Sequence, residues 1–151
     1  MKTAKQFDWQ TKPLPPQRST VSLDRRFSAH EIQRMRLGLV PEEMEDKWFV
    51  YWENDMLFFH RSWTGNCIYI VRFAAEGDSC RMVEAALNRD PEQYSETNND
   101  LDVRMISYLI DVLLLKQDAE FPSEEQDPER KALIKWSQVG RAMLGQYPKN
   151  E

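Results

Sequence analysis

Six consecutive residues, His60-Arg61-Ser62-Trp63-Thr64-Gly65, gather the densest chemistry in the chain: an imidazole, a guanidinium, two hydroxyls and an indole. A carboxylate beside an imidazole makes an acid/base pair near neutral pH, and Glu53 lies in the same run of apolar strands. Arg61 with Ser62, Thr64 and Gly65 could form an anion-binding nest, with Trp63 as a stacking surface. A second polar cluster, residues 88–100 (NRDPEQYSETNND), supplies Arg89, Gln93 and Tyr94 for the rim of a pocket beside that turn.

Each of these groups also has a structural use, and the structural use is favoured. His60 suits a half-buried sheet residue satisfied by a backbone or tyrosine partner. Arg61 suits a cation–π pair on Trp48, and the hydroxyls suit a turn that satisfies itself. The Asn, Asp and Thr content of residues 88–100 suits two successive helix caps. No glycine-rich phosphate loop or nucleophile elbow is present. His30 is remote from His60, and no spacing of ligands calls for a metal or a cofactor.

These groups need a scaffold, and the hydrophobic periodicity supplies one. From Lys47 the runs KWFVYWE, MLFFHRS and CIYIVRF, split by Asn54-Asp55 and by residues 63–66, read as antiparallel strands. A fourth run, residues 81–87, follows a turn at Gly77. If Asn54-Asp55 is a two-residue hairpin loop, Glu53 pairs with Met56, Phe49 with His60 and Trp48 with Arg61. His60 then lies four residues from Glu53 along the sheet, roughly 13 Å at 3.3 Å per residue, too far for a hydrogen bond. If residues 63–66 form the next loop, Arg61 faces Ile68 and His60 faces Tyr69. Both faces of this sheet are apolar at their centres, so both need cover.

The helical signals bracket these strands. Ser28 and Glu31 form a capping box for a short helix over residues 29–37, stopped by Gly38. LDVRMISYLIDVLLLK carries apolar positions 101, 105, 109, 112 and 113 on one face behind capping residues 97–100. Asp127 with Pro128 opens a last helix through Leu133, Trp136, Val139 and Met143 to Gly145. The fold expected is α+β: a four-stranded antiparallel meander, two long helices packed on one face and a short N-terminal helix. Residues 1–27, with Pro13, Pro15 and Pro16, read as an extended arm, and residues 28–151 as a single domain.

The 151 residues carry 20 basic and 25 acidic side chains, a net charge of −5. That balance repels polyanions, and no apolar run approaches the roughly 20 residues of a bilayer span, so neither nucleic acid nor a membrane is an expected partner. The N-terminus lacks an apolar signal-peptide segment, which points to the cytoplasm. The two cysteines, Cys67 and Cys80, sit far apart along the strands and are expected to stay reduced and unbridged.

The phrases MEDKWFVYWENDMLFFHRSWTG, CIYIVRF and LNRDPEQYSETNND resemble a family of small, uncharacterised bacterial domains over roughly residues 28–116. The resemblance implies no activity and no residue roles. It does imply occurrence beside ADP-ribose-processing enzymes. The leading expectation is a non-catalytic binding or protein-interaction module, with a protein partner or a second copy covering the second sheet face. The alternative is an enzyme or ligand sensor for a small anionic, nucleotide-like molecule, with Arg61 as clamp, Trp63 stacking, and His60 or Glu53 exchanging a proton.

Overall fold

The computed structural model describes residues 3–123, 125 and 127–139. An arm with one 3₁₀ turn at Gln6–Asp8 leads into β1 (Arg18–Phe27), and α1 (Ala29–Leu37) follows. Next come β2 (Trp48–Glu53), β3 (Met56–Arg61), β4 (Cys67–Glu76) and β5 (Ser79–Asn88). The chain then forms α2 (Asn99–Leu109), which runs on through a π turn at Ile110–Leu114, and α3 (Pro128–Val139). The sheet is antiparallel, in the order β1-β5-β4-β3-β2. Among the described residues no helix is long and apolar enough to cross a membrane.

The fold class is therefore α+β, but among the described residues the sheet has five strands, not four. Residues 18–27, read from the sequence as the end of the arm, pair along β5 from Arg18 opposite Asn88 to Phe27 opposite Cys80. An edge strand hydrogen-bonds on one side only and tolerates arginines, so its sequence RSTVSLDRRF shows little apolar alternation. A bulge between Ser22 and Arg25 breaks what alternation there is. Only Leu23 and Phe27 are buried, and Arg25 ties the strand to the π turn through Asp111 Oδ1 at 2.7 Å.

The hairpin at Asn54-Asp55 has both residues at positive φ, the geometry that matches strand twist in a two-residue loop. It sets the expected register, with Phe49 opposite His60 and Glu53 opposite Met56. The next register departs from the expected one. A bulge at Ile68 pairs Phe59 with Tyr69 and His60 with Cys67. One extra residue transfers every following side chain to the other face. Tyr69 and Val71 therefore join Trp48, Val50, Leu57 and Phe59 in the main core, while Ile70 falls on the opposite face.

The main core lies between the sheet and a helical layer made of α1, α2 and the π turn. This differs from two long helices on one face. The capping box of α1 forms as read, with Glu31 N donating to Ser28 Oγ at 3.1 Å and Ser28 N to Glu31 Oε1 at 2.8 Å. Its Ile32 and Met35 are buried in the main core, so α1 belongs to the helical layer and does not cover the outer face. Gly38 is fixed by contact, because a Cβ there would lie 2.3 Å from the Val50 carbonyl oxygen. The N-terminus of α3 forms as read, with Asp127 Oδ1 accepting from Glu129 N. Its Leu133 is exposed, however, and the helix meets the sheet through its last described turn, where Val139 is buried. Met143 and Gly145 lie outside the described residues. Cys67 and Cys80 are both free and buried. Cys80 pairs with Ala75, eight residues from Cys67, or roughly 26 Å along the strand.

Membership of β1 in the core has a measurable consequence. Phe27 is 1% exposed, with its ring 6.0 Å from that of Phe73. Phe27→Ala should cost about 3–5 kcal/mol in denaturant unfolding, the value for a buried aromatic. A loss under about 1 kcal/mol would return these residues to a loosely held arm.

Candidate functional site

The turn after β3 is built around its own hydrogen bonds. Gly65 N donates to Arg61 O at 2.8 Å, Arg61 N to Asn66 O at 2.9 Å, and Thr64 Oγ1 accepts from Asn66 N at 3.1 Å. Ser62 Oγ donates to Asp46 O at 2.6 Å and Trp63 Nε1 to Met44 O at 2.8 Å. The arm adds a strap. Trp9 Nε1 and Gln10 Nε2 donate to Ser62 O, at 2.7 and 3.0 Å, and Lys12 N donates to Gly65 O at 2.8 Å. The hydroxyls and backbone amides that could have made an anion nest hold the turn together, and its carbonyls hold the arm.

Arg61 points to the helical side. Its guanidinium carbon lies 4.8 Å from the Trp48 ring centre, and Nη2 donates to Ser137 O at 3.0 Å. Nη1 contacts Gln138 O at 3.3 Å, so Arg61 joins β3 to the last described turn of α3. Burial lowers its pKa, and the nearby Tyr69 and Tyr94 act in the opposite sense.

His60 is on the other face, 3% exposed and stacked on Tyr51 at 5.7 Å and 12°. Its Nδ1 is 2.9 Å from Gly65 O. A carbonyl only accepts, so Nδ1 carries the proton and Nε2 keeps its lone pair. That Nε2 is buried and has no hydrogen-bond partner among the described residues. Burial lowers the His60 pKa, opposed by the bond to Gly65, and the ring is neutral near pH 7. Glu53 is exposed and pairs with Met56 at the far end of β2, so the two are not brought together. The residue opposite His60 is Cys67, whose thiol burial pushes up to about 12. A thiol held protonated is a poor nucleophile.

The last strand does return to this end of the sheet, as Asn88 Nδ2 donates to Cys67 O at 2.8 Å and to Gln93 Oε1 at 2.9 Å. Within residues 88–100, Asn98 rather than Thr97 caps α2, its Oδ1 accepting from Leu101 N at 3.2 Å. Arg89 and Tyr94 meet Asp102, which is 1% exposed. Arg89 Nη2 bonds Asp102 Oδ2 and donates to Asn99 Oδ1 at 2.6 Å. Asp102 Oδ1, Tyr94 OH and Tyr69 OH form a triangle with sides of 2.5, 2.8 and 2.9 Å. Two tyrosine hydroxyl protons serve these three contacts. Tyr94 donates to Asp102 along the shortest, and Tyr69 chooses between the other two. Burial and the adjacent carboxylate raise the pKa of both tyrosines, which stay protonated.

Asp102 and Tyr69 are not among the candidate site residues of the sequence reading. The signal for Asp102 was present, since Asp102, Met105, Ile106 and Leu109 are spaced as one apolar helical stripe with a carboxylate in it. Tyr69 was hidden by the bulge. Among the described residues no group of three or more His, Cys, Asp or Glu side chains is placed to hold a metal. In comparisons with known proteins the chain matches no family model, no curated protein and no solved structure.

Two outcomes follow from this geometry. A folded-state pKa below that of the unfolded chain makes His60 bind a proton less readily when folded, so stability is full above about pH 6.5 and falls as pH drops through the folded value. Thermal melts from pH 7.5 to 5 should show a steeper loss for the wild type than for His60→Phe. Parallel curves would contradict a neutral, buried His60. Asp102→Ala should cost about 3–5 kcal/mol by leaving Arg89 buried without its carboxylate. A cost below about 1 kcal/mol in chemical unfolding would mean that the cluster is not a closed network.

Proposed function

We propose that this chain is a non-catalytic protein-interaction module that docks through an aromatic knoll on the arm and the turn after β3. The observation carrying this reading is the exposure of Phe7, Trp9, Met44 and Trp63, at 84, 36, 71 and 60%. Hydrogen bonds make the last three contiguous: Trp9 is anchored to Ser62, next to Trp63, and the Trp63 indole is anchored to Met44. Lys47 lies 4.5 Å over the Trp63 ring and leaves the opposite ring face for a partner. Large apolar side chains held rigidly in water mark interaction sites, and tryptophan is enriched among the residues that dominate such interfaces.

The expectation that a second chain covers the outer sheet face loses its motive, because Ala4 of the arm and Val40 pack on Phe49 and Tyr51 there, and both aromatics are buried. The interaction reading rests on the knoll instead. The enzyme or sensor reading draws less support. Arg61 is committed to Trp48 and α3, Ser62 and Thr64 to the turn, Arg89 and Tyr94 to Asp102, and Gln93 to Asn88. Glu53 has no imidazole within reach.

The test is affinity capture from the native lysate with the wild type and with Phe7→Ala/Trp63→Ala. Both side chains are exposed, so the double variant should melt within about 2 °C of the wild type. A protein retained by the wild type and lost by the variant supports the proposal. Equal retention by both, or none by either, contradicts it.

A further inference from the structure

We infer that the cavity between the arm and the outer face of the sheet is a binding site for a small aromatic carboxylate. The cavity holds about 390 Å³, within the range of small-molecule sites. Its floor is an aromatic wall on which the Tyr51 and Phe58 rings stack at 4.7 Å and 7°, with Ile70 beside them. Its roof is the arm, through Pro13 and the buried Leu14. A flat apolar body matches a space bounded in this way.

The charge of the lining chooses among flat molecules. Lys12 and Arg18 line the cavity, and no Asp or Glu does, in a chain whose net charge is −5. Neither cation is in an ion pair among the described residues. Arg18 is nonetheless held in place, since Nε donates to Pro15 O at 2.8 Å and Nη2 to Leu14 O at 2.7 Å. A fixed guanidinium without a carboxylate, beside an exposed ammonium, is a seat for an anionic oxygen pair. His60 is part of the cavity wall and 97% buried, and its Nε2 is sealed from solvent. The two cations and the aromatic floor, not that nitrogen, select the ligand.

Cys67 offers this site no nucleophile. The Cys67 thiol in the wall is held protonated and donates to Tyr69 O at 3.7 Å, so the site binds without forming a bond to sulfur.

Three probes of one shape and different charge test the inference: 4-hydroxyphenylacetate, its neutral amide, and tyramine. In thermal melts of the full chain, the acid at 10 mM should raise Tm saturably by about 3–6 °C, corresponding to a Kd of about 1 mM. The amide should bind roughly tenfold more weakly and tyramine should give no shift. Lys12→Gln and Arg18→Gln should each weaken the acid by about tenfold. Lys12 is exposed, so its variant reads binding even if loss of Arg18 loosens the arm. No saturable shift with the acid, an equal shift with tyramine, or an affinity unchanged in both variants would overturn the inference.

Discussion

The carbonyl of Gly65 is the point on which the arm side of this molecule depends. It accepts from the Lys12 amide and from His60 Nδ1, so it fastens the arm to the sheet and fixes the imidazole tautomer at once. Gly65 has a φ of 80°, and a Cβ there would lie 3.2 Å from the Gln10 carbonyl oxygen, so the arm crosses where the turn leaves room for backbone. The need for this fastening follows from composition. A sheet that is apolar on both faces must be covered twice, and the helical layer covers one face. The arm covers the centre of the other, over Phe49 and Tyr51, without regular structure of its own beyond one 3₁₀ turn.

Much of this was legible in the sequence wherever local chemistry decides conformation. The Asn54-Asp55 hairpin set the β2–β3 register to the residue, the Ser28–Glu31 box set the start of α1, and Asp127-Pro128 set the start of α3. What was not legible depends on contacts between distant residues. β1 is a strand because β5 offers it a free edge, and its own residues say little. The bulge at Ile68 has no local signature, yet it decides that Tyr69 reaches Asp102 and that Ile70 reaches the arm side. His60 and Arg61 fall on opposite faces because neighbouring residues of a strand alternate, as the expected register already implied. Arg61 and Tyr94 belong to the helical side and His60 to the arm side.

The distribution of polar groups argues for recognition over catalysis. The charged and hydroxylated residues near the turn are spent on one another, in a network that Asp102 closes on one side and the arm straps on the other. The two surfaces proposed for recognition are apolar and cationic. The arm carries both, since Phe7 and Trp9 face outward while Leu14 and Lys12 bound the cavity. One extended segment thus shapes the proposed docking knoll and the proposed ligand seat, and a change in how it lies on the sheet would alter the two together.

Nitrogen-15 NMR of the His60 ring tests the fastening most directly, because the tautomer reports whether the arm and the turn meet as described. At pH 7.5 the ring should be neutral, with the proton on Nδ1 and a bare Nε2. A ring protonated at Nε2 alone, or an imidazolium at that pH, would contradict the Gly65 contact, the seating of the arm and the cavity beneath it.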